Sequence, residues 1–337
     1  MRRPLSVGVV GAQHREDGLV RAFESLPQAS LRWLCGETPR PWTHDAQTVR
    51  WAGSLDDLLA DEDLDAVVFA SPLLAAGGRA RAALEADKHV LVAGPLAFSA
   101  RDAEELSGVA AARGLCLWAH LPLLEHPASR RLRSLVRRQQ LGEVYYLHAT
   151  RFAPAGDHEA DLLWGAGAEV VALCIDLLTD QPVDVAGRAE AYGESTRPDV
   201  VVAELRFATG IVAHLHLSRL EREVVERVSV VASDRTAVLD TGAHDRELAI
   251  RDREKTTTYA LTASEVTRAA CARFLGAIRS PGAGEQGREA AAIVSVLEAL
   301  ERSCRSFDAD LGAGLDDRAA RPAGVERPAG NVLAFRR

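Results

Sequence analysis

The loop after the first apolar segment is the first place where residue types and spacing suggest chemistry. Leu5–Val10 is a β-branched run typical of a strand, and Gly11–Glu16 (GAQHRE) follows it. A glycine-rich turn between a strand and a helix binds the pyrophosphate of a dinucleotide, because glycine lets the backbone approach the phosphates. Gly11 supplies the first glycine of such a turn. Gln13 adds a side chain where the backbone should meet phosphate, and Glu16 adds a repelling carboxylate.

Two further residues are candidates for proton transfer. Glu169 lies near the start of the apolar helical segment Gly167–Thr179, and His120 follows an apolar strand. A glutamate acts as a general base when burial raises its pKa, but it is more often a solvated or paired carboxylate. Asp157–Asp161 (DHEAD) has metal-ligand residue types without the regular spacing of a metal-binding helix, so we expect a solvated loop and no metal site.

The elements that position these residues alternate between strands and helices in the first third of the chain. Strands are predicted at Leu5–Val10, Ser30–Cys35, Ala66–Ala70, His89–Ala93 and Leu115–Ala119. Helical patterns separate them, which is typical of a parallel sheet with helices on both faces. We therefore predict an α/β fold whose residues 1–122 form a Rossmann-like, doubly wound domain of the dinucleotide-binding type.

The pattern changes after a predicted helix at Pro127–Gln140. Strands follow at Glu143–Arg151, Val183–Ala191, Val200–Phe207, Ile211–Leu217, Glu223–Ala232, Thr236–Asp240 and Leu248–Arg251. Tight turns join most of them, so we predict a C-terminal α+β domain with a large, mostly antiparallel open sheet over residues 123–307. Two helices, Ala263–Arg279 and Glu285–Arg305, close it, and the Gly-, Pro- and Arg-rich residues 308–337 are expected to form a flexible tail.

Composition narrows the classes of partner and compartment. The net charge of −8, with acidic and basic residues interspersed, argues against nucleic acid or an anionic membrane as partner. Five cysteines lie far apart, as expected of buried thiols in a reducing compartment. The N-terminus has no signal-peptide pattern, and no apolar run is long enough to cross a bilayer. We expect a cytoplasmic protein.

Four segments together resemble one oxidoreductase family. They are Leu64–Pro72 (LDAVVFASP), Ala82–Pro95 (AALEADKHVLVAGP), Leu141–Arg151 (LGEVYYLHATR) and Phe207–Leu217 (FATGIVAHLHL). In order and spacing they are similar to the glucose–fructose oxidoreductase / inositol dehydrogenase (Gfo/Idh/MocA) family, over Pro4 to Arg305. The resemblance implies that NAD or NADP binds to the first domain, and that a sugar, cyclitol or nucleotide sugar is oxidised or reduced.

The chain departs from the family pattern at the catalytic lysine. The family has Glu-Lys-Pro after its fifth strand, and the lysine bonds the substrate hydroxyl that is oxidised. Here the segment reads Ala93-Gly94-Pro95, so Gly94 stands at the lysine position. An ammonium there polarises the oxygen, which glycine cannot do. Lys88 and Lys255 are the only lysines in the sequence, and neither is near enough along the chain to replace it.

Two other family elements are also altered. The family's acid–base segment, Asp followed by Pro-His-Asp, aligns with Gly165 and Ala168–Val170, and this leaves Glu169 as its one titratable residue. The acidic residue that bonds the adenosine ribose aligns with Gly36, although Glu37 is adjacent. His120 matches a family Gly-His. We weigh Glu169 and His120 as the weak catalytic candidates that remain.

These departures lead to two hypotheses. The first is a catalytically inactive pseudo-oxidoreductase that serves as a binding or assembly subunit and has no cofactor. The alternative is an atypical NAD(P)-dependent oxidoreductase of a sugar, cyclitol or nucleotide sugar. If a nucleotide binds, the expected contacts are Gly11, Ala12, Gln13, His14, Glu37, Ser71 and Pro72. In either case we expect a homo-oligomer, dimer or tetramer, through the C-terminal sheet, or a hetero-oligomer with an active paralogue.

Overall fold

The computed structural model of the chain describes residues 3–11, 18–36, 43–44, 47–152, 161–192, 197–242, 247–260, 266–280 and 286–316. At residues 43–44, 47–48, 247 and 306–316 it describes the backbone alone. Two large sheets organise this part of the chain, one of six strands and one of eight. Four of the predicted nucleotide contacts lie outside the described residues, namely Ala12, Gln13, His14 and Glu37. Most of the acidic loop 157–161 lies outside them too.

The first sheet is parallel, and its strand order is β5-β2-β1-β6-β7-β8. Its strands are β1 (Leu5–Val10), β2 (Ala29–Cys35), β5 (Arg50–Ala52), β6 (Ala66–Phe69), β7 (His89–Ala93) and β8 (Leu117–His120). A short ladder of β3 (Thr43–His44) and β4 (Gln47–Thr48) lies between β2 and β5 along the chain. All four residues of β6 are buried, as expected of a strand covered on both faces. The predicted Rossmann-like sheet is confirmed.

Helices connect these strands. They are α1 (Gly18–Glu24), α2 (Leu55–Leu59), α3 (Pro72–Ala75), α4 (Arg79–Glu85) and α5 (Ala100–Arg113). The hydroxyl groups of Ser54, Ser71 and Ser99 accept hydrogen bonds from backbone N–H groups in the first turns of α2, α3 and α5. These N-caps set where the helices begin. Two more helices, α6 (Pro122–Glu125) and α7 (Pro127–Arg137), lead into the second sheet.

The second sheet is mostly antiparallel, with the order β10-β11-β12-β9-β13-β14-β15-β16. Its strands are β9 (Val144–Phe152), β10 (Pro182–Glu190), β11 (Val200–Phe207), β12 (Val212–Ser218), β13 (Val225–Ala232), β14 (Thr236–Asp240), β15 (Glu247–Arg251) and β16 (Thr256–Ala260). Only β9 and β12 pair in parallel among these strands. The fold class is confirmed, although the polar strand β16 was not predicted.

The two faces of this sheet differ in burial. Leu147, Leu215 and Val230 point to the inner face and are fully buried or nearly so, whereas Tyr146 and His148 point outward and are exposed. The inner face packs on three helices, which are α7, α8 (Ala168–Leu178) and α10 (Gln286–Asp316). A π-helical turn at Leu163–Gly167 precedes α8. Helix α10 continues past the predicted end at Arg305 into the segment expected to be a tail.

Helix α9 (Val266–Ile278) connects the two halves of the molecule. It packs against α1, and its residues Cys271, Phe274 and Leu275 share one buried cluster with Val20 and Phe23 of that helix. The Rossmann domain therefore receives part of its core from a helix far along the chain. Within the described part of the chain, no helix combines the length and the apolar character needed to cross a membrane.

Candidate functional site

The carboxyl end of β1 forms a tight turn that only glycine can adopt. The φ angle of Gly11 is +89°, and its N–H donates to the Cys35 carbonyl oxygen over 2.7 Å. A Cβ atom at Gly11 would overlap Cδ1 of Leu74 in α3. Such a backbone conformation at the first strand end is one requirement of a dinucleotide site.

The ends of β6 and β7 meet beside this turn. Ser71 follows β6 and caps α3, because its Oγ lies 3.4 Å from the Leu74 backbone nitrogen that donates to it. Gly94 follows β7 with φ of +123°, and its N–H donates to the His120 carbonyl oxygen over 3.0 Å. A Cβ atom at Gly94 would lie 2.7 Å from Cγ of Pro72. The backbone at the family's lysine position thus leaves no room for a side chain.

These strand ends are the position at which a nicotinamide dinucleotide would bind. Such a ligand binds outside the carboxyl ends of parallel strands, at the point where the strand order reverses. In this sheet that point lies between β1 and β6, where Gly11, Ser71 and Pro72 come together. None of the three carries charge, and Gly11 has the required turn. The described residues therefore fit the group.

His120, the second predicted catalytic candidate, lies at the end of β8 and is buried. The residue is 4% exposed, and no described residue bonds its Nδ1 atom. Burial lowers the pKa of His120 to about 4, against the opposing effect of the Glu125 carboxylate. The imidazole is therefore neutral near pH 7. His120 contacts the strand ends through its backbone carbonyl oxygen, which accepts the hydrogen bond from Gly94.

A cleft of about 860 Å³ lies between the Rossmann domain and the second sheet. Elements from both halves of the chain form it: α1, α6, α9, the first turns of α7 and α8, and the ends of β9 and β13. The described lining residues that carry charge or titrate are Arg21, His126, Arg151, Glu169, Glu226 and Arg268. The cleft walls therefore carry charged side chains, and they include one of the two predicted catalytic candidates.

Glu169 lines this cleft, and two contacts hold its carboxyl group in place. Its Oε2 accepts a hydrogen bond of 2.9 Å from the Leu123 N–H, and its Oε1 lies 3.4 Å from Nη1 of Arg151. Only 17% of its side chain is exposed. Burial raises the pKa of Glu169, the charge of Arg151 opposes that effect, and the charge of Glu226 adds to it. A carboxyl group with a raised pKa in a cleft has the properties of a general acid or base.

Arg151, Glu226 and Thr241 were not predicted as site residues. Arg151 and Glu226 are directly opposite each other on the antiparallel strands β9 and β13, and Arg151 Nη1 lies 2.8 Å from Glu226 Oε1. The Thr241 hydroxyl donates to Glu226 Oε2. No local pattern signals this group, because the strand register joins residues that are far apart in sequence.

The two lysines are remote from the cleft. Lys88 is buried, and its Nζ donates to the carbonyl oxygens of Asp61 (3.1 Å) and Leu64 (2.9 Å). Lys255 is exposed in the turn between β15 and β16. Neither replaces the ammonium that the family has after its fifth strand. Among the described residues there is also no cluster of side chains able to hold a metal ion.

Comparison with known proteins identifies the class of protein to which this chain belongs. The family described as "Oxidoreductase family, NAD-binding Rossmann fold" (GFO_IDH_MocA) matches residues 5–121. UDP-N-acetylglucosamine 3-dehydrogenase of Acidithiobacillus ferrooxidans is 30% identical over 244 residues, which are 70% of this chain and 74% of that protein. A dTDP-3,4-didehydro-2,6-dideoxy-alpha-D-glucose 3-reductase of Streptomyces violaceoruber is 27% identical over 89% of this chain and 93% of its own length.

Solved structures agree with this assignment. The Acidithiobacillus ferrooxidans dehydrogenase superposes with a TM-score of 0.74 at 26% identity, over 90% of this chain and all of that one. KijD10, a 3-ketoreductase from Actinomadura kijaniata in complex with TDP-benzene and NADP, gives a TM-score of 0.77 at 21% identity, over 89% and 98%, and supports the fold alone. The chain belongs to the Gfo/Idh/MocA oxidoreductase family.

Proposed function

We propose that this chain is an atypical NAD(P)-dependent oxidoreductase that acts on a sugar, cyclitol or nucleotide sugar, with Glu169 as its proton-transfer group. The observation that carries the proposal is the buried Glu169 carboxyl in the interdomain cleft, fixed by the Leu123 N–H and flanked by Arg151. The relatives named above are a dehydrogenase and a reductase of nucleotide sugars, which supports the same class of substrate.

In this function the nicotinamide cofactor, when bound, accepts or donates the hydride. Gly11, Ser71 and Pro72 would border it at the strand ends. When a substrate hydroxyl is oxidised, its carbon loses the hydride and the Glu169 carboxylate takes the hydroxyl proton. In reduction the neutral carboxyl returns that proton to the developing alkoxide. Its raised pKa brings both protonation states closer to neutral pH.

Gly94 limits the rate that this arrangement can reach. Without an ammonium at this position, the substrate oxygen loses an electrostatic contact in the transition state. The Glu169 carboxyl supplies proton transfer, but in its ionised form it adds no positive charge. We therefore expect turnover slower than that of a lysine-containing family member.

The same glycine favours a second candidate function, a catalytically inactive subunit that binds or assembles. Its specific support is the φ of +123° and the close approach of Pro72 at Gly94, since both exclude the family's lysine side chain. Isothermal titration of the chain with NAD⁺, NADH, NADP⁺ and NADPH separates the two candidates. Binding at micromolar concentration or below supports the oxidoreductase. A folded sample that gives no heat with any of the four contradicts it.

We also propose that the chain forms a homo-oligomer through the outer face of the second sheet. Exposed side chains there include Tyr146 and Val202, at 42% and 52%. The ring of Tyr146 contacts that of His214 in β12, and Val202 lies opposite His216 of the same strand. Apolar side chains exposed on an open sheet face favour burial against another surface. Light scattering that gives a monomer at micromolar concentration would contradict this, and a hetero-oligomer with an active paralogue would then be the partner to test. All five cysteines are buried and none forms a disulfide bond, which supports a reducing compartment such as the cytoplasm.

A further inference from the structure

One guanidinium group stands between two carboxylates in the cleft. Nη1 of Arg151 lies 2.8 Å from Oε1 of Glu226 and 3.4 Å from Oε1 of Glu169. All three side chains are largely buried, with 17% to 23% of each exposed. When both carboxyl groups are ionised, the trio carries a net charge of about −1. Arg151 is therefore shared, and its shorter contact is with Glu226, the carboxylate that our proposed mechanism does not use.

The backbone and a hydroxyl group hold Glu226 in this arrangement. The Thr241 N–H donates to the Glu226 carbonyl oxygen over 2.8 Å, and the Thr241 hydroxyl donates to its Oε2. A Cβ atom at Gly242 would lie 2.5 Å from the Glu226 backbone nitrogen, so the next segment of chain packs directly on this strand. The register of β9 and β13 then places the Glu226 side chain opposite Arg151.

We infer that Glu226 is a positioning residue that draws Arg151 away from Glu169 and so keeps the Glu169 carboxyl available to exchange a proton. The role of Glu169 in this inference rests on the proposed function, whereas the competition for Arg151 rests on the geometry alone. Opposite charges attract more strongly as their separation falls, particularly where water is excluded. Without the charge of Glu226, Arg151 has Glu169 as its remaining carboxylate in the trio.

The direction of the electrostatic effect follows from the same contacts. The negative charge of Glu226 raises the pKa of Glu169, and the positive charge of Arg151 lowers it. Among the residues that the structure describes, the other titratable and charged ones facing the cleft are Arg21 from α1, His126 at the start of α7 and Arg268 from α9. They are unchanged in the variants below, so that a shift in the Glu169 titration reports the trio.

The test compares the full chain with two variants of opposite effect. Glu226→Gln keeps the side-chain size and removes the charge, whereas Arg151→Gln removes the cation. Carboxyl ¹³C resonances of glutamate-labelled protein are followed against pH, and the Glu169 signal is assigned by its loss in Glu169→Gln. We expect the Glu169 pKa to fall in Glu226→Gln and to rise in Arg151→Gln. An unchanged or raised pKa in a folded Glu226→Gln protein, or an unchanged or lowered one in a folded Arg151→Gln protein, overturns the inference.

A second readout separates this inference from the proposed function. If the enzyme turns over, the acid limb of the pH profile of kcat/KM moves to lower pH in Glu226→Gln, and Glu226→Asp moves it back toward wild type. A loss of turnover with no movement of the limb would assign Glu226 a merely structural role. If wild type shows no turnover with any substrate, the proposed function fails, while the carboxyl titration still decides whether Glu226 positions Arg151.

Discussion

Gly94 and Pro72 approach so closely that a Cβ atom on the glycine would lie 2.7 Å from Cγ of the proline. Real side chains essentially never make so short a contact, and the φ of +123° at Gly94 adds backbone strain for any other residue. The backbone conformation at this strand end therefore excludes a lysine side chain at position 94. A single Gly94→Lys substitution would not recreate the family's catalytic group without moving α3.

The first prediction concerns stability at this turn. Gly94→Ala should lower the free energy of unfolding by about 1–3 kcal/mol, because alanine must adopt a left-handed conformation against Pro72. Gly108 provides the matched control, since it lies inside α5 with open space around its Cα. Gly108→Ala should be neutral or stabilise by about 0.5–1 kcal/mol. Urea denaturation measures both, and equal effects at the two positions would contradict the steric argument.

A second prediction tests the proton-transfer group. Glu169→Gln keeps the size of the side chain but removes its ability to take a proton, so turnover should fall about 100- to 10,000-fold. Nucleotide affinity should fall much less than turnover, because the hydrogen bond and the ion pair of Glu169 are with Leu123 and Arg151 rather than with Gly11 or Ser71. Glu104→Gln, on the exposed surface of α5, is the control. Steady-state rates with UDP- and dTDP-sugars check the result, and undiminished turnover would rule out Glu169.

A third prediction follows from the buried imidazole of His120. Its pKa is about 4 in the folded protein against 6.5 for the free side chain, so the unfolded chain binds the proton more readily. The stability contribution is present above pH 6.5 and is lost as the pH falls towards 4. The loss amounts to about 3 kcal/mol of unfolding free energy, at about 1.4 kcal/mol per unit.

The experiment compares unfolding curves across that pH range. His120→Gln should flatten the decrease between pH 6.5 and pH 4, whatever its effect at pH 7. The control, His214→Gln, changes a histidine on the exposed outer face, so most of the decrease should remain. Parallel pH profiles for wild type and His120→Gln would show that His120 titrates normally.

The two lysines give a fourth prediction. Lys88→Met removes the donor to the carbonyl oxygens of Asp61 and Leu64 and should cost about 1–3 kcal/mol, because buried acceptors lose their partner. Lys255→Met, in an exposed turn, should have almost no effect. Thermal unfolding measures stability, and nucleotide titration should show equal affinity for both variants. A specific loss of turnover in Lys88→Met at full stability would instead indicate a catalytic lysine.

The sequence predicts most of the fold because its signals are local. Buried strands such as Ala66–Phe69 are uniformly apolar, and Ser54 marks a helix start. Strand β16 was missed because its residues, TTTYA, are mostly polar and resemble a turn. Helix α10 extends beyond its predicted end because small and acidic residues after Arg305 continue a helical backbone that composition alone assigns to a tail.

The candidate site was predictable only in part. Glu169 is a single carboxylate at the start of an apolar helix, and the structure places it in the cleft with a raised pKa. Its neighbours Arg151 and Glu226 are brought together by the register of two strands, and Leu123 contributes a backbone N–H rather than a side chain. Contacts of these kinds leave no pattern in a single sequence.

The packing of α9 on α1 also bears on the order in which the protein matures during synthesis. The ribosome releases the parallel-sheet half first, yet Phe274 and Leu275, which share a buried cluster with Phe23, emerge only when most of the chain has been made. Until then the nascent amino-terminal half exposes an apolar patch on α1, and such a patch binds chaperones or promotes aggregation. If residues 1–122 were expressed alone, the same apolar patch on α1 would stay exposed to solvent.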